Sequence, residues 1–284
     1  MVSTAYSTPS IINNKQQECL KSSRTKIFLI SLSIIGILFV ASLIFKIGFY
    51  IGSALILVIG SPLLFGKRAW AMAGLAFHGR FVLWWLKLTV GTKIEVRGLE
   101  NLPENPVLIA AKHQAPWETF AFPAILKDPA LIMKEELMAI PFYGWFSRKF
   151  EMIPIRRERA AIALKEMLKE AEIRKEDKRE IIIFPEGTRK VPGAEPDYKP
   201  GVIKLYESLN IPCVPVALNS GVFWPRNEKK LYKGTIIVEF LPPIPAGLER
   251  KTFKETLIKT IEDKCDVLQK EGEAEKESYL NSAR

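Results

Sequence analysis

The chain has 284 residues, 48% of them apolar and 25% charged, which is enough for one catalytic domain with an appendage but not for two large domains. This apolar content excludes disorder throughout the chain. Residues 1–90 contain nine basic side chains and one acidic one, so +8 of the net charge of +10 lies in the first third. Basic residues that flank apolar runs are typical of a segment beside a membrane and argue against a nucleic-acid-binding protein.

The sequence contains few of the cysteines and histidines that disulfides and metal sites require. The three cysteines stand far apart without a C-x-x-C pair, so neither a disulfide framework nor a zinc site is indicated. Only two histidines are present, His78 and His113, which argues against a metal centre and makes any histidine chemistry easy to localise. We expect reduced thiols in a cytosolic setting.

Two uncharged apolar runs follow a polar, basic segment at residues 1–26. The runs cover Ile27–Phe45 and Ile47–Phe65, and Lys46 separates them. At about 1.5 Å per residue, each run nearly crosses a hydrocarbon core of roughly 30 Å. We predict a membrane helical hairpin over residues 27–66, as two full spans or one re-entrant hairpin, and we prefer it to a cleaved signal peptide. The positive-inside rule then places both chain ends in the cytosol.

Residues 67–90 are predicted to form an interfacial helix. They carry five aromatic side chains among small apolar residues, and indole rings favour the boundary between headgroups and hydrocarbon. The alternative is that this helix packs on the domain that follows. His78 lies here without a nearby carboxylate, so we expect an interfacial or packing role for it.

From residue 91 to 250, short β-rich runs alternate with helical ones. The predicted strands are KIEVRG, PVLIAA, ALIMK, EIIIF, CVPVAL and TIIVEF. Helices are predicted near Pro116–Leu126 and Arg159–Lys178. The alternation predicts an α/β domain with a mostly parallel sheet flanked by helices, whose functional residues lie at the carboxyl ends of strands. Residues 251–284 are predicted to form a charged, solvated C-terminal helix.

The first candidate catalytic residues follow the PVLIAA strand. His113 lies at the turn into the next helix, and Glu118 falls into the first turn of that helix if Pro116 takes an early position. A carboxylate that receives the Nδ1–H fixes the tautomer and leaves Nε2 to take a proton from an attacking hydroxyl. Taken alone, the pair fits a strand-end histidine and a helix-dipole carboxylate at least as well.

No serine or cysteine nucleophile accompanies this pair in an elbow motif. The absence favours direct transfer to a substrate hydroxyl over an acyl-enzyme, and it disfavours an esterase.

A second cluster, FPEGTR at Phe184–Arg189, follows the EIIIF strand. It places a glycine turn, a carboxylate, a hydroxyl and a guanidinium at another strand end, where Arg189 can grip a phosphate bidentately. Together with His113 on a neighbouring strand end, the cluster predicts a phosphate-bearing substrate. Lys112 and Lys134 are further cations near strand ends, and we interpret both as solvated lysines in preference to ligand contacts.

HQAPWE (His113–Glu118) and FPEGTR (Phe184–Arg189), in this order and about 70 residues apart, resemble the two signature blocks of the glycerolipid acyltransferases, the family of 1-acylglycerol-3-phosphate acyltransferases. Weaker agreement with the family's other two blocks is found at Gly144–Arg157 and Ile211–Pro215. The family's first block has aspartate where this chain has Glu118, which keeps the charge and adds one methylene.

The resemblance implies that His113 is the general base and Glu118 its orienting partner. The residues implied to bind the acceptor are Glu186, Gly187, Thr188 and Arg189, with Arg156 as a second phosphate contact and Lys134 as a further cation. The implied reaction moves a fatty acyl chain from acyl-CoA or acyl-ACP (acyl carrier protein) to the 2-hydroxyl of 1-acylglycerol 3-phosphate. It yields phosphatidic acid for phospholipid biosynthesis and needs no metal or other cofactor.

The implied partners are lysophosphatidic acid, an acyl thioester, membrane lipids and, as one of two alternative donors, acyl carrier protein. No nucleic acid is expected. The implied location is a bacterial inner membrane, with the catalytic domain facing the cytoplasm. Two alternatives stay open: an acyltransferase for another acceptor, such as glycerol 3-phosphate or another lysolipid, and a catalytically inactive membrane lipid-binding protein.

Overall fold

The computed structural model describes residues 14–104, 106–156, 160–226 and 229–282, with side chains from residue 36 onward except 160 and 161. The helices within these ranges are α1 (Asn14–Ile59), α2 (Arg68–Val90), α3 (Glu118–Ile125), α4 (Tyr143–Lys149), α5 (Ala160–Glu176), α6 (Pro200–Leu209), α7 (Ser220–Phe223) and α8 (Arg250–Ser282). The strands are β1 (Thr92–Arg97), β2 (Val107–Ala111), β3 (Pro129–Lys134), β4 (Ile153–Ile155), β5 (Glu180–Ile183), β6 (Cys213–Leu218) and β7 (Gly234–Phe240). Three short 3-10 turns complete the regular structure, at Ser61–Leu64, Leu99–Asn101 and Glu135–Ala139.

The strands form one sheet in the order β1-β7-β6-β2-β5-β3-β4. Every pair of neighbouring strands is parallel except β6 and β7, which are antiparallel. The predicted class, a mostly parallel α/β sheet with flanking helices, is therefore confirmed. All six predicted strands are present. The sequence reasoning missed β4, because three residues are too few to establish a period.

The central strands β2, β5 and β6 are buried along their whole length. Alternate residues of β2 enter opposite layers of the core, with Ile109 on the side of α1, α2 and α3 and Leu108 on the side of α5, α6 and α8. Burial on both faces explains why these strands appear in the sequence as continuous apolar runs rather than as alternating patterns.

The carboxyl ends of β2 and β5 lie side by side. Ala110 of β2 is paired with Ile183 of β5, so the chain leaves both strands at the same edge of the sheet. The segment that contains His113 and the segment that begins with Phe184 therefore start as neighbours, as expected for a parallel pair.

We predicted that residues 27–66 form both arms of a helical hairpin. The hairpin exists, but the predicted position of its turn is wrong. The first apolar run and residues 47–59 of the second lie on the single helix α1. Lys46 interrupts the hydropathy but not the helix, since lysine is a good helix former, and its Nζ donates to the carbonyl of Lys229 at 2.6 Å. The reversal comes after Gly60, where Pro62 stands in a 3-10 turn, so that α1 and α2 form the hairpin.

Among the residues described with side chains, one helical segment, Gly36–Ile59, is long and apolar enough to cross a membrane, judged by length and composition. Of the predicted polar segment 1–26, residues 1–13 lie outside the described residues, and no side chain of the remainder is described. The predicted sidedness of the basic residues stays a prediction.

The interfacial helix predicted at 67–90 corresponds to α2. One face of α2 is buried through residues such as Val82 and Leu86 and contacts α3, whereas Trp70 and Trp84 are exposed on the other side. His78 bonds Ser53 of α1 through Nε2 at 2.8 Å, which is a packing role. The helix therefore combines packing on the domain with an exposed aromatic face.

The prediction of a solvated C-terminal helix is wrong. Helix α8 buries Phe253, Leu257, Ile261 and Leu268 against the sheet, at the spacing of one helical face. Its high charge hid this stripe, because charged residues occupy all the other faces of the helix. Residues 251–284 therefore begin with a structural layer of the domain rather than with an appendage.

Candidate active site

His113 and Glu118 are in contact, as the sequence predicted. The imidazole lies in the turn after β2 and its Nδ1 is 3.1 Å from Oε2 of Glu118, the first residue of α3. The Glu118 side chain is completely buried, while 15% of the His113 side chain is exposed. With Nδ1–H donated to the carboxylate, Nε2 is left as the proton acceptor, and no described residue hydrogen-bonds to it.

The Glu118 carboxylate is held by more than the imidazole. The backbone N–H of Ala115 lies 3.0 and 3.1 Å from its two oxygens, and the N–H of Gln114 donates to Oε1 at 3.3 Å. The hydroxyl of Ser220 also donates to Oε1. These donors, two from the turn before α3 and one from Ser220, fix the carboxylate beside the imidazole.

Ser220 is a member of the site that the sequence reasoning missed. It lies 102 residues after Glu118, at the start of α7, and is fully buried. The usable signal was its position just after the CVPVAL strand, because the strand it follows, β6, lies beside β2. The same corner carries a second link, in which the N–H of Gly221 donates to Oε1 of Gln114 at 3.0 Å.

The FPEGTR segment and the residue after it contact the turn that contains His113. The Phe184 ring stacks on the imidazole with centroids 4.1 Å apart and planes 19° from parallel. The N–H of Lys190 donates to the carbonyl of His113 at 2.8 Å. These contacts restrict the orientation of the imidazole and bring the two motifs into one corner of the sheet edge.

Glu186 is buried in an ion pair with Lys112. Its side chain is 1% exposed and its Oε1 lies 3.0 Å from Nζ of Lys112, which also bonds Glu262 of α8 at 2.8 Å. The prediction that Lys112 is solvated is therefore wrong, whereas the acceptor-binding role of Glu186 stays a prediction. The physical reason is that Lys112 turns inward to meet two carboxylates that the folded core brings together.

Burial affects the pKa values of Glu186 and Lys112. It raises the pKa of Glu186, because a carboxylate is costly to desolvate. It also acts to lower the pKa of Lys112, but the hydrogen bond that Lys112 donates to Glu262 and the charge of Glu186 outweigh it and leave the pKa of Lys112 raised. The ammonium therefore stays charged and ties β2, the FPEGTR turn and α8 together.

The rest of the FPEGTR turn faces outward. Gly187 has a φ of +64°, a left-handed conformation that favours glycine, and its N–H donates to the carbonyl of Phe184 at 2.9 Å. Thr188 is exposed and Arg189 is partly buried. In the described part of the chain, no carboxylate forms an ion pair with the Arg189 guanidinium. The predicted acceptor-binding roles of these three residues stay predictions.

No hydrogen bond or ion pair among the described residues joins Arg156 or Lys134 to His113 or to the FPEGTR turn. Arg156 follows β4, is largely exposed and pairs with Glu135. Lys134 is the exposed last residue of β3. In the order of the sheet, β3 and β4 both lie beyond β5 when counted from β2. The predicted acceptor contacts of Arg156 and Lys134 stay predictions.

Cys213 and Cys265, the two cysteines whose side chains are described, are not suited to act as nucleophiles. Burial raises the pKa of Cys265 to about 12, and it raises the pKa of the fully buried Cys213 as well. Within the described residues, no three His, Cys, Asp or Glu side chains are grouped so that they could hold a metal ion.

The central part of the chain is similar to known proteins. Residues 93–219 match the model of the acyltransferase family. The chain is 36% identical over 167 residues to the 1-acyl-sn-glycerol-3-phosphate acyltransferase of Pseudomonas aeruginosa, a match that covers 59% of this chain and 65% of that enzyme. The match thus spans just under two thirds of that relative's length. The Saccharomyces cerevisiae enzyme of the same name is 29% identical over 232 residues, covering 79% of this chain and 74% of the yeast enzyme.

The fold has a counterpart among solved structures. The crystal structure of the 1-acyl-sn-glycerophosphate (LPA) acyltransferase of Thermotoga maritima superposes with a TM-score of 0.68. The superposition covers 82% of this chain and 96% of that one, at 21% sequence identity. At this level of identity, the likeness shows a shared fold.

Proposed function

We propose, from the match of residues 93–219 to the acyltransferase family model, that this protein transfers a fatty acyl chain from an acyl thioester to the 2-hydroxyl of 1-acylglycerol 3-phosphate. The observation that carries the proposal is the contact between His113 and the buried Glu118, at the same sheet edge as Arg189. The names of the Pseudomonas and yeast relatives support this choice of acceptor.

In the proposed reaction, Nε2 of His113 takes the proton of the acceptor 2-hydroxyl. The hydroxyl oxygen attacks the thioester carbonyl, and the new ester forms as the carbon–sulfur bond breaks. The imidazolium returns its proton to the departing thiolate. Glu118 stabilises the imidazolium while it exists, and its hydrogen bonds to Ala115 and Ser220 keep it in place.

Arg189 is the proposed contact of the acceptor phosphate. It is partly buried, follows directly on Thr188 in the exposed part of the turn, and has no ion-pair partner among the described residues. A guanidinium in this situation is suited to a bidentate phosphate contact.

The proposed donors are acyl-CoA and acyl-ACP, both of which are used in the cytoplasm. We therefore place the protein at the cytoplasmic face of a membrane, most simply a bacterial inner membrane. The apolar segment Gly36–Ile59, which packs beside the catalytic domain, supports the membrane location. A lysolipid acceptor could then reach His113 while its acyl tail stays in lipid.

The test is turnover of lysophosphatidic acid by the purified full chain in detergent or vesicles. The substitution His113→Ala should lower kcat by at least about 100-fold, the usual contribution of a general base. His78→Gln is the matched control, because it changes the other histidine, which lies in the packing between α1 and α2.

Two outcomes would reject the proposal. Full turnover by H113A would exclude the base, and a wild-type protein that acylates no acceptor would favour the lipid-binding alternative. Supplying glycerol 3-phosphate and a phosphate-free 1-acylglycerol in parallel identifies the acceptor, while supplying acyl-CoA and acyl-ACP in parallel identifies the donor.

A further inference from the structure

A second arginine, Arg226, lies directly beside Arg189. It belongs to the connection that follows α7 and leads into β7, and it is exposed. Its guanidinium donates a hydrogen bond to the backbone carbonyl of Arg189. A guanidinium has five N–H donors, and this contact uses only a part of them. Arg226 is therefore held at the rim of the FPEGTR turn with donors to spare.

Neither Arg189 nor Arg226 has an ion-pair partner among the described residues. Lys190 nearby pairs with Asp197, but no salt bridge of this edge includes either arginine. Two arginines without a carboxylate partner are therefore attached to one turn, through the carbonyl of Arg189. Their arrangement fits a ligand that carries about two negative charges on one group.

The connection that carries Arg226 is also attached to helix α1. Trp224 packs edge-on against Phe45, with ring centroids 5.1 Å apart. The N–H of Leu231 donates to the hydroxyl of Ser42 at 2.8 Å, and Lys46 bonds the carbonyl of Lys229 at 2.6 Å. Arg226 therefore lies between the apolar helix and the catalytic turn, where the headgroup of a lipid acceptor would enter.

We propose that Arg226 is the second guanidinium that holds the acceptor's phosphate monoester and that it makes the site selective for such headgroups. The inference rests on the proposed function. A phosphate monoester carries a charge of about −1.5 to −2 at pH 7 and three acceptor oxygens, which matches two guanidiniums. A phosphodiester headgroup has one charge and fewer free oxygens, so it would use only one of them.

Arg226→Gln tests the proposal in the full chain, because it removes the charge while keeping a polar side chain of similar reach. The KM for lysophosphatidic acid should rise about tenfold, while kcat and the KM for the acyl donor stay within about twofold. Arg226→Lys should recover part of the loss, since lysine keeps the charge but not the fork. Arg250→Gln, at the start of α8, is the control for the charge change.

A binding measurement separates this inference from the proposed function. Lysophosphatidic acid in detergent micelles can be titrated by fluorescence, and R226Q should bind it about tenfold more weakly than wild type. R226Q should bind 1-acylglycerol, which lacks the phosphate, as well as wild type does. If wild type shows this binding but no turnover, the proposed function fails and Arg226 keeps its role.

Three results would overturn the assignment of Arg226. One is unchanged binding and an unchanged acceptor KM in R226Q. Another is a rise in the KM for acyl-CoA or acyl-ACP instead, which would assign the arginine to a donor phosphate. The third is a fall in kcat with the acceptor KM unchanged, which would mean that Arg226 only positions the FPEGTR turn.

Discussion

At the scale of single residues, the imidazole of His113 depends on Glu118, and Glu118 depends on Ser220. The serine hydroxyl donates to one oxygen of the carboxylate, while the imidazole bonds the other. The longer side chain of glutamate, compared with the aspartate of the family motif, has an extra rotatable bond. Ser220 and the N–H of Ala115 remove that freedom.

Ser220→Ala should therefore lower kcat about tenfold and leave both KM values unchanged. A hydrogen bond to a charged group contributes about 1.5–3 kcal/mol, and the remaining backbone bonds of Glu118 limit the loss. Ser147→Ala is the matched control, because Ser147 is also buried but bonds the carbonyl of Tyr143 in α4. Steady-state kinetics on the three proteins measures the effect.

In a Glu118→Gln background, Ser220→Ala should add less than about a twofold further loss, since both residues act through the same imidazole. Independent, multiplying losses would show that Ser220 affects turnover by a route other than Glu118.

At the scale of elements, the contact between α1 and α2 depends on two glycines spaced four residues apart. A Cβ at Gly48 would lie 2.4 Å from the indole of Trp85, and one at Gly52 would lie 2.5 Å from the ring of Phe81. The Trp85 Nε1–H also donates to the carbonyl of Phe45 at 3.1 Å. The small residues let the aromatic rings of α2 lie directly on α1, as in other helix pairs of this spacing.

Gly48→Val should destabilise the protein by about 1–3 kcal/mol, the usual effect of inserting a side chain into a filled contact. Thermal unfolding in detergent, followed by near-ultraviolet circular dichroism, should show a lower Tm and a weaker tryptophan signal. Gly36→Val is the matched control on the same helix, because a Cβ there meets no atom within 4 Å. An equal loss in both variants would contradict the packing argument.

At the scale of the whole molecule, the exposed apolar side chains extend over several elements and are not confined to α1. The exposed set includes Phe39 and Tyr50 of α1, Phe65 of the turn, Trp70 and Trp84 of α2, and Trp145 of α4. The turn and α4 are joined by Lys149, whose Nζ donates to the carbonyl of Gly66 at 2.6 Å. Exposed apolar surface on adjoining elements is typical of a face that contacts a membrane or another protein.

Helix α1 is also attached to the domain along its side. Phe45 is fully buried beneath Trp224, and Ser53 bonds His78 of α2. A perpendicular crossing of the bilayer would carry the charged domain into hydrocarbon with the helix, which is costly. We therefore expect α1, α2 and α4 to contact one face of the membrane together.

Brominated acyl chains, which quench tryptophans at lipid depth, test this expectation. Three tryptophans are exposed, namely Trp70, Trp84 and Trp145. Trp145→Phe should therefore remove roughly a third of the quenchable fluorescence in vesicles, since indoles of an interfacial face contact lipid. Trp117→Phe is the control, because that ring is 1% exposed. If only α1 enters the membrane, W145F will leave the quenching unchanged.

The chain's local patterns were sufficient for much of the fold and for the first contact of the site. Apolar runs predicted six strands, and the order of His113, Pro116 and Glu118 predicted that the imidazole meets the carboxylate, because these residues are separated by one turn and one helix start. The FPEGTR match predicted a neighbouring motif at the adjoining strand end. Such inferences succeed because short-range geometry and side-chain period are properties of the local chain.

Only the tertiary structure decided which distant residues lie around the contact between His113 and Glu118. Ser220 and Arg226 reach the site because β6 lies beside β2, and Glu262 does so because α8 packs on the sheet. The inward turn of Lys112 and the burial of Glu186 likewise depend on partners far along the chain. A linear pattern specifies which residues can be buried or charged, but the strand order and helix packing determine which of them meet.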